Sequence, residues 1–490
     1  MERGPYDWGG QQVRKRTAWW RRYRRAVPGV PRTALLPRLL LPGLCALLVL
    51  PGGTAAAYGS GTASAHGNAA RAEHGPPASY AFAPGARTVA GTAGTATAPR
   101  LDPGRTYRSS LPRNGRLYYR LDLGATDTAY VPVTAVPPAD ATVSATDGIS
   151  VSVQDATGTP CSFAGARFGA GLSPRPVTAL GQREAGRAVC QGRGTYYVVV
   201  RRLDAQGSGT AAPTQRWDLE IAPVTEPRTA RAGATTPPQA WDSATPEPLT
   251  GEPRDRTGGA GFASASPLGQ GVWRTSLVPG ETRFYRVPVD WGRQLHASAE
   301  LAGATGHGYV GGALNLSLYN PVRGLVEDTA LGYTGTQKPA VLAPLPPVEY
   351  ANRYAVPAGV TSVRFAGDYY LVLHLSEQMT GTFGRGPFGV TLRVRLAGRA
   401  HAGPEYTGRP VPGAVFTVTE RDREAALTGS TGGGDDPVMW LVAIGGIGLG
   451  TALLLVLAGW TVTARRARRS QWAQRAQRAQ TRVNAQKPTA

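Results

Sequence analysis

Apolar and polar residues alternate along two long stretches of the chain, and this period of two predicts β-strands. In the first stretch every second residue of 117–123 is large and apolar, so these residues are expected to face a core. Tyr118 and Arg120 lie between them and are expected to face outward. The run from Tyr196 to Val200 is continuously apolar, which indicates a central strand covered on both faces. No helix of useful length is predicted in either stretch.

The two stretches are copies of one another, because blocks of residues match in the same order along both. Short strands separated by Gly and Pro turns are typical of an antiparallel β-sandwich. The predicted fold is therefore mainly β, with two tandem jelly-roll-like sandwich domains at 101–224 and 266–396, a C-terminal transmembrane α-helix and disordered spacers. The matched blocks are 107–111 with 273–277, 118–121 with 284–287, 149–153 with 314–318, 194–200 with 367–373, and 217–221 with 390–394.

Glycine and proline are abundant, with 64 Gly and 41 Pro in 490 residues, whereas charged residues make up only 17%. This composition predicts folded parts separated by turn-rich spacers, which we assign to 58–100, 225–265 and 397–437. Residues 58–100 contain few large apolar side chains. Burial would not offset the entropy lost on ordering them, so we expect this spacer to be disordered.

The N-terminal segment 1–57 is predicted to be a signal peptide. Basic residues precede an apolar run at 39–50 that is too short to span a bilayer comfortably, and three alanines follow, ending at Ala57. Cleavage is expected after Ala57, and Ala63 with Ala65 offers a second position. An uncleaved signal anchor is the alternative.

A transmembrane helix is predicted at 438–462, where twenty-five residues carry no charge. Trp440 and Trp460 lie twenty residues apart, about 30 Å along a helix, so one ring is expected at each membrane interface. The arginines that follow predict a cytoplasmic tail at 463–490 that contacts anionic lipids, with the earlier residues outside the cell. These arginines are Arg465, Arg466, Arg468 and Arg469.

Gly446 and Gly450 form a G-x-x-x-G pair within this segment. Such a pair lets a second helix approach closely, so a homodimer in the membrane is possible. Glycine is abundant in the chain, and accidental spacing is an equal alternative.

The formal net charge of +21 is concentrated at the two ends of the chain. Residues 1–57 and 465–490 each carry +8, which leaves +5 for the whole body between them. So small a charge over roughly four hundred residues argues against a nucleic-acid partner.

Cys161 and Cys190 are expected to form a disulfide. Cleavage of the signal peptide would remove Cys45, the third cysteine, and would leave these two in an oxidising compartment. Closing the loop between them would contribute roughly 3 to 4 kcal/mol on the chain-entropy model. Metal ligation is a weak alternative because no histidine lies near either cysteine in the sequence.

The first copy has a short strand before a turn at 111–115, a Tyr-x-Leu strand at 119–121, an alternating strand ending in Asp155, and Gly-Thr-Tyr-Tyr-Val-Val-Val at 194–200. This order resembles the bacterial pre-peptidase C-terminal domain, a β-sandwich module of secreted enzymes and surface proteins. The resemblance implies a non-catalytic accessory or binding module. In the second copy, 285–292 is similar to segments of membrane-anchored actinobacterial surface proteins of unknown role. Some members of the pre-peptidase family bind calcium through acidic loops. We do not assign this calcium site to the present chain, because its acidic residues are isolated.

Motifs of common enzymes are absent from the sequence, which contains no G-x-S-x-G, no H-E-x-x-H and no G-K-[ST]. We therefore expect no catalysis, no cofactor and no metal. Tyr118 with Arg120, and Phe284 with Arg286, are the candidate ligand contacts, since an aromatic ring beside an arginine can stack on a sugar or anchor a protein partner. Cover by a second sheet or by a loop is the alternative.

The predicted function is that of a single-pass membrane protein with an extracytoplasmic part that binds an envelope protein or a cell-wall glycan. Two alternatives stay open. One is a surface hydrolase with its centre in the second copy, where the histidines are His296, His307 and His374. The other is a structural spacer subunit of a membrane complex.

Overall fold

A computed structural model describes residues 79–204, 215–238 and 240–429, together with Leu457, Trp460 and Thr461. The predicted signal peptide lies outside the described residues, as do Trp440, the Gly446 and Gly450 pair, and the basic tail. Trp460 is helical and 70% exposed. Over the described parts of the chain, no helix is both long and apolar enough to cross a membrane.

The first copy forms two facing sheets, in the orders β1-β2-β9-β4-β7 and β3-β8-β5-β6. β10 pairs with β4 beyond the end of β9. The strands are β1 (Arg87–Thr88), β2 (Tyr107–Leu111), β3 (Arg116–Leu123), β4 (Thr128–Val136), β5 (Gly148–Gln154), β6 (Pro160–Arg167), β7 (Val177–Arg183), β8 (Gly194–Leu203), β9 (Trp217–Ile221) and β10 (Val224–Glu226).

The second copy also forms two sheets, in the orders β11-β13-β20-β15-β18 and β12-β14-β19-β16-β17. Its strands are β11 (Arg254–Asp255), β12 (Ser266–Pro267), β13 (Gly271–Leu277), β14 (Thr282–Val289), β15 (Gln294–Leu301), β16 (Val310–Tyr319), β17 (Leu325–Tyr333), β18 (Lys338–Val341), β19 (Gly367–Leu375) and β20 (Phe388–Ala397). Up to Gly429, the last residue of the continuous described part, the structure has three short α-helices. α1 (Ala358–Ser362) precedes β19, α2 (Met379–Phe383) lies between β19 and β20, and α3 (Glu420–Thr428) follows β20.

The two copies share one strand order. Within each copy the eight strands that begin at β2 or β13 run 1-8-3-6 in one sheet and 2-7-4-5 in the other. This arrangement is that of a jelly roll. The prediction of a mainly β fold is therefore confirmed. In each copy the two sheets enclose one hydrophobic core, and the cores of the two copies are separate.

The predicted alternation matches the burial of the strands. The four apolar residues of 117–123 are all at most 8% exposed and belong to the first core. Val198, Val199 and Val200 of β8 are all buried, and β8 lies between two other strands of its sheet. The continuous apolar run thus marks an interior strand.

Each copy begins earlier than the sandwich boundary drawn from the sequence. β1 pairs in parallel with β2, and the Tyr118 N–H of β3 donates to the Thr92 carbonyl at 2.8 Å. In the second copy β11 pairs in parallel with β13, and the Gly259 N–H donates to the Phe284 carbonyl of β14 at 2.9 Å. We call 87–101 and 254–268 the lead-in segments. Residues assigned to spacers by composition thus add backbone hydrogen bonds to both sheets of their copy.

A glycine at the same place in each lead-in segment allows this close approach. A Cβ at Gly91 would lie 2.7 Å from Tyr119, and one at Gly258 would lie 2.7 Å from Tyr285. Both distances are shorter than a carbon contact permits. These two glycines, which composition alone assigned to spacers, are therefore required by the packing.

Residues 398–417, which we call the closing segment, connect the two copies after β20. The Thr225 N–H of β10 donates to the Val411 carbonyl at 2.9 Å, so the segment pairs with the first copy. Phe416 stacks on Phe365 of the second copy at 4.8 Å between ring centres. The part of the predicted 397–437 spacer that the structure describes thus packs against both copies.

Cys161 and Cys190 form a disulfide, as predicted, with a Cα–Cα distance of 5.6 Å. Cys161 lies in β6, and Cys190 lies in the loop between β7 and β8. The bond attaches this loop to an outer strand of its sheet.

Candidate functional site

Phe284, one of the predicted ligand contacts, is buried, and its prediction as an exposed residue is wrong. Its side chain is 1% exposed and contacts the rings of Tyr80 at 5.7 Å and Phe262 at 5.0 Å between centres. The lead-in segment of the second copy passes over β14 and inserts Phe262 there. Cover by a loop, the alternative stated above, accounts for the difference.

Arg286 is also engaged within the chain. Its Nη1 lies 2.9 Å from an Asp368 carboxylate oxygen and 3.7 Å from one of Asp422 in α3. Burial lowers its pKa, but these carboxylates outweigh burial and raise the pKa overall. The outer face of β14 is therefore covered by the lead-in segment and by α3.

Tyr118 and Arg120 in the first copy are more accessible. Tyr118 is half-buried, with the Arg116 guanidinium 5.6 Å from its ring centre. Arg120 has a side chain 42% exposed and an Nε 3.6 Å from Asp122. Neither side chain lines the two cavities of about 540 and 490 Å³ described below.

Three buried ion pairs join the two copies. Each glutamate comes from the first copy and each arginine from the second, and all three carboxylate side chains are at most 9% exposed. We call this set the junction pairs. They are Glu220 with Arg323 at 2.6 Å, Glu226 with Arg353 at 2.8 Å, and Glu184 with Arg364 at 2.9 Å.

Tyrosine hydroxyls complete two of the junction pairs. Tyr80 donates to Glu220 at 3.1 Å. Tyr130 donates to Glu226 at 2.8 Å, and Tyr406 of the closing segment donates to it at 3.0 Å. Burial, followed by the Glu226 charge, raises the pKa of Tyr130 well above its usual value, so this hydroxyl stays a donor.

The pKa shifts of Glu184 and Arg353 favour the charged forms of these two side chains. Burial raises the pKa of the Glu184 carboxyl, but Arg364 and Arg187 lower it by more, and the net shift is downward. Burial lowers the pKa of Arg353, but Glu226 reverses this and leaves it raised. Ionised partners held in one arrangement fix the second copy against the first.

A cleft of about 540 Å³ opens beside this junction, and we call it the junction cleft. Strand ends of β2 and β9, two proline-containing loops of the first copy, and residues of the second copy line it. Its volume lies within the range of ligand sites, roughly 300 to 1,000 Å³. The lining residues used below are Tyr80, Phe82, Arg108, Arg175, Arg216 and Asp218.

Three guanidinium groups face a single carboxylate in the junction cleft. Arg108 forms an ion pair with Asp218 and lies 4.2 Å from the Phe82 ring centre. Arg175 is half-buried, contacts the Arg167 carbonyl at 3.5 Å, and has its pKa lowered by burial. Arg216 is exposed at the rim.

A second cavity of about 490 Å³ adjoins the first over the outer face of β2 and β9. Arg108, Arg216 and Asp218 line both. The two cavities therefore adjoin at these charged residues.

No protein-family model matches the chain, and no curated protein matches it. Among solved structures, the chain is similar to the M60 catalytic domain with two CBM51 domains of Clostridium perfringens ZmpB, at 11% identity and a TM-score of 0.15, covering 59% of this chain and 34% of that one. It is also similar to the CUB1-EGF-CUB2 domain of human MASP-1/3, at 8% identity and a TM-score of 0.15, and the match covers 59% of this chain and 99% of that one. A third similar structure is the ANXUR2 extracellular domain from Arabidopsis thaliana, at 8% identity and a TM-score of 0.16. That match covers 61% of this chain and 86% of the other. TM-scores this low carry no argument about function, and the pre-peptidase resemblance stays a prediction.

The histidines of the second copy lie apart from one another. His374 is 2% exposed, with Nε2 2.9 Å from the Ser173 hydroxyl and Nδ1 2.9 Å from the Thr282 hydroxyl. Burial, followed by the Arg175 charge, lowers its pKa well below the usual value. His307 is in an exposed loop, and His296 lines a cavity of about 130 Å³ on the outer face of β15.

The residues of the junction cleft were missed from the sequence because they come from separate strands and loops. Arg108 and Arg216 stand on neighbouring strands that are more than a hundred positions apart along the chain. Arg175 lies between Pro174 and Pro176, and this was the one local signal, since paired prolines restrict a loop. The pairing of β2 with β9, together with the loop that precedes β7, brings the guanidinium groups together.

Proposed function

We propose that this protein is a membrane-anchored, extracytoplasmic and non-catalytic binding protein that holds a ligand of the cell envelope in the junction cleft. The observation that carries the proposal is the cleft itself, a groove with aromatic and guanidinium side chains beside a junction fixed by three buried ion pairs. A site of fixed shape loses little conformational entropy when a ligand binds.

The membrane anchor in this proposal is the segment predicted at 438–462. The structure describes the chain continuously up to Gly429, nine residues before Val438. Nine extended residues reach at most about 30 Å. The binding body would therefore stay close to the outer surface of the membrane, where envelope polymers and proteins are found.

The disulfide supports export. Bonds such as that between Cys161 and Cys190 persist in oxidising compartments and are rare in the cytosol. The signal peptide predicted at 1–57 accounts for the same location.

Retention on envelope fractions tests the proposal. Full-length protein in detergent is mixed with cell-wall material and, separately, with envelope protein extract, and the bound fraction is measured for the wild type, Phe82→Ala and Arg216→Gln. We expect each cleft variant to bind about tenfold less tightly, because each removes one stacking or charge-assisted contact. Arg201→Gln, an exposed arginine of β8, is the control for net charge. Equal retention of wild type and cleft variants would contradict the proposal.

A surface hydrolase is the second candidate, and the contact between Ser173 and His374 favours it, since a hydroxyl beside an imidazole is the basis of nucleophilic catalysis. Three features weigh against it. The Ser173 residue is 0% exposed, its hydroxyl also accepts the Glu377 N–H at 3.0 Å, and a threonine rather than a carboxylate faces the other imidazole nitrogen. Hydrolysis of p-nitrophenyl acetate that is lost in His374→Gln, with an unchanged melting temperature, would support the hydrolase instead.

A further inference from the structure

We infer that the ligand of the junction cleft is an acidic glycan, a saccharide chain that carries carboxylate or phosphate groups. This inference rests on the proposed function and names the class of ligand. Three observations carry it: the charge balance of the cleft, the contrast with the junction pairs, and the shape of the groove.

The cleft has an excess of positive charge. Its lining contains Arg108, Arg175 and Arg216 but only one carboxylate, that of Asp218, which pairs with Arg108. Within the described part of the chain, neither Arg175 nor Arg216 forms an ion pair. The Arg175 guanidinium contacts the Arg167 carbonyl and lies 5.8 Å from the Phe168 ring centre, while Asp328 of the second copy acts on its charge without contacting it. An anionic group on the ligand would supply the missing partner.

The same junction shows what a buried arginine ordinarily has as a partner in this molecule. Arg323, Arg353 and Arg364 each contact a glutamate within 2.9 Å. Arg175 lies at the same junction and is half-buried, but no carboxylate of the described residues contacts it, and Asp328 acts on its charge only from a greater distance. Partly withdrawing a guanidinium from water without a contacting counter-charge is unfavourable, and this favours an external anion.

The shape and the apolar surface of the groove favour a glycan over a protein. The two cavities of about 540 and 490 Å³ adjoin at shared charged residues, so an unbranched chain lying along them would contact both. Phe82, Pro138 and Pro176 are at least partly exposed there and offer apolar surfaces, which pack against the C–H faces of sugar rings. A globular partner would need a surface of at least about 1,000 Å² and would meet this groove only at its rim.

Titration of the full-length protein in detergent micelles with defined polymers tests the inference. The probes are an oligogalacturonate, which carries carboxylates, its fully methyl-esterified form, which has the same rings without charge, an oligomer of glycerol phosphate, and poly-glutamate. We expect one or both anionic carbohydrate-type probes to bind at least about tenfold more tightly than the methyl ester, and the affinity to fall with salt. A preference between carboxylate and phosphate identifies which anion the ligand carries.

Two variants locate the binding. Arg175→Gln and Arg216→Gln are each expected to weaken binding about tenfold, and Arg201→Gln to leave it unchanged. Arg216 is exposed, so its variant stays informative if Arg175→Gln lowers the melting temperature.

The outcomes separate this inference from the proposed function. Equal binding of the methyl ester and the acid, with both reduced in Arg216→Gln, would overturn the acidic ligand and leave a cleft that binds neutral sugars. Tighter binding of poly-glutamate than of either anionic probe would overturn the glycan in favour of an acidic protein segment. Binding of no probe, with envelope retention that is unaffected by the cleft variants, would remove both proposals.

Discussion

Arg323→Met is the most direct test of how the two copies are held together. The substitution removes the guanidinium that lies 2.6 Å from Glu220, while the methionine retains most of the volume. Glu220 is 0% exposed, so its charge cannot turn to water. Its remaining donors are the Tyr80 hydroxyl at 3.1 Å and the Ala83 N–H at 2.9 Å.

The expected cost follows from this geometry. Breaking a buried ion pair by removing one partner costs about 3 to 5 kcal/mol, because it leaves an uncompensated charge. Two donors still contact Glu220, so we expect the lower end, about 3 kcal/mol. In Glu220→Gln/Arg323→Met neither charge is present, and we expect a smaller loss than in Arg323→Met alone.

Urea denaturation of the four members of this double-mutant cycle measures the effect without screening the charges. Arg274→Met is the matched control, because Arg274 pairs with Asp255 at a fully exposed position and its loss should leave the free energy of unfolding unchanged. A loss below about 1 kcal/mol in Arg323→Met, or a double variant less stable than the single one, would refute the reasoning that burial makes this pair important.

Three further predictions concern the individual parts of the fold. Cys161→Ala/Cys190→Ala should lower the free energy of unfolding by about 3 to 4 kcal/mol in urea, since the bond closes a loop with a sequence separation of 29. Phe262→Ala should cost about 3 to 5 kcal/mol, because its ring is buried among three others, whereas its counterpart in the first copy, Thr95, is exposed and its change to alanine should have little effect. His401→Gln should reduce stability below about pH 6.5 and match the wild type at higher pH, since a carboxylate 2.8 Å away raises the pKa of this imidazole.

The sign of the pH effect follows from the direction of the shift. A group whose pKa is raised in the folded state stabilises the fold fully below its unfolded pKa, and this contribution is lost as the pH rises through the folded value. His401 is about half exposed, so solvent screening should keep the effect below about 1 kcal/mol. Thermal melts from pH 5 to 9 measure it, and a difference that grows toward alkaline pH would contradict the assignment. Equal stability of Phe262→Ala and Thr95→Ala would contradict the prediction for Phe262. Equal stability of the oxidised wild type and the cysteine-free variant would contradict the prediction for the disulfide.

The amino-acid sequence by itself determined the inward faces and the duplication. A period of two reports which residues of a strand share a face, and this is why the core residues of 117–123 and the interior position of β8 were predicted correctly. Matching blocks predicted one fold for both copies, and the strand orders agree. The pairing of Cys161 with Cys190 followed from their number and the expected compartment.

The outward faces were decided only by the tertiary structure. Alternation shows that Phe284 and Arg286 point away from the core, but it contains no information about which distant segment covers them, and here Phe262 and α3 do so. The lead-in segments escaped prediction because backbone pairing needs no apolar side chains. The junction pairs and the arginines of the junction cleft come from residues far apart in the chain, and strand pairing across two sheets is what brings such charges within contact distance.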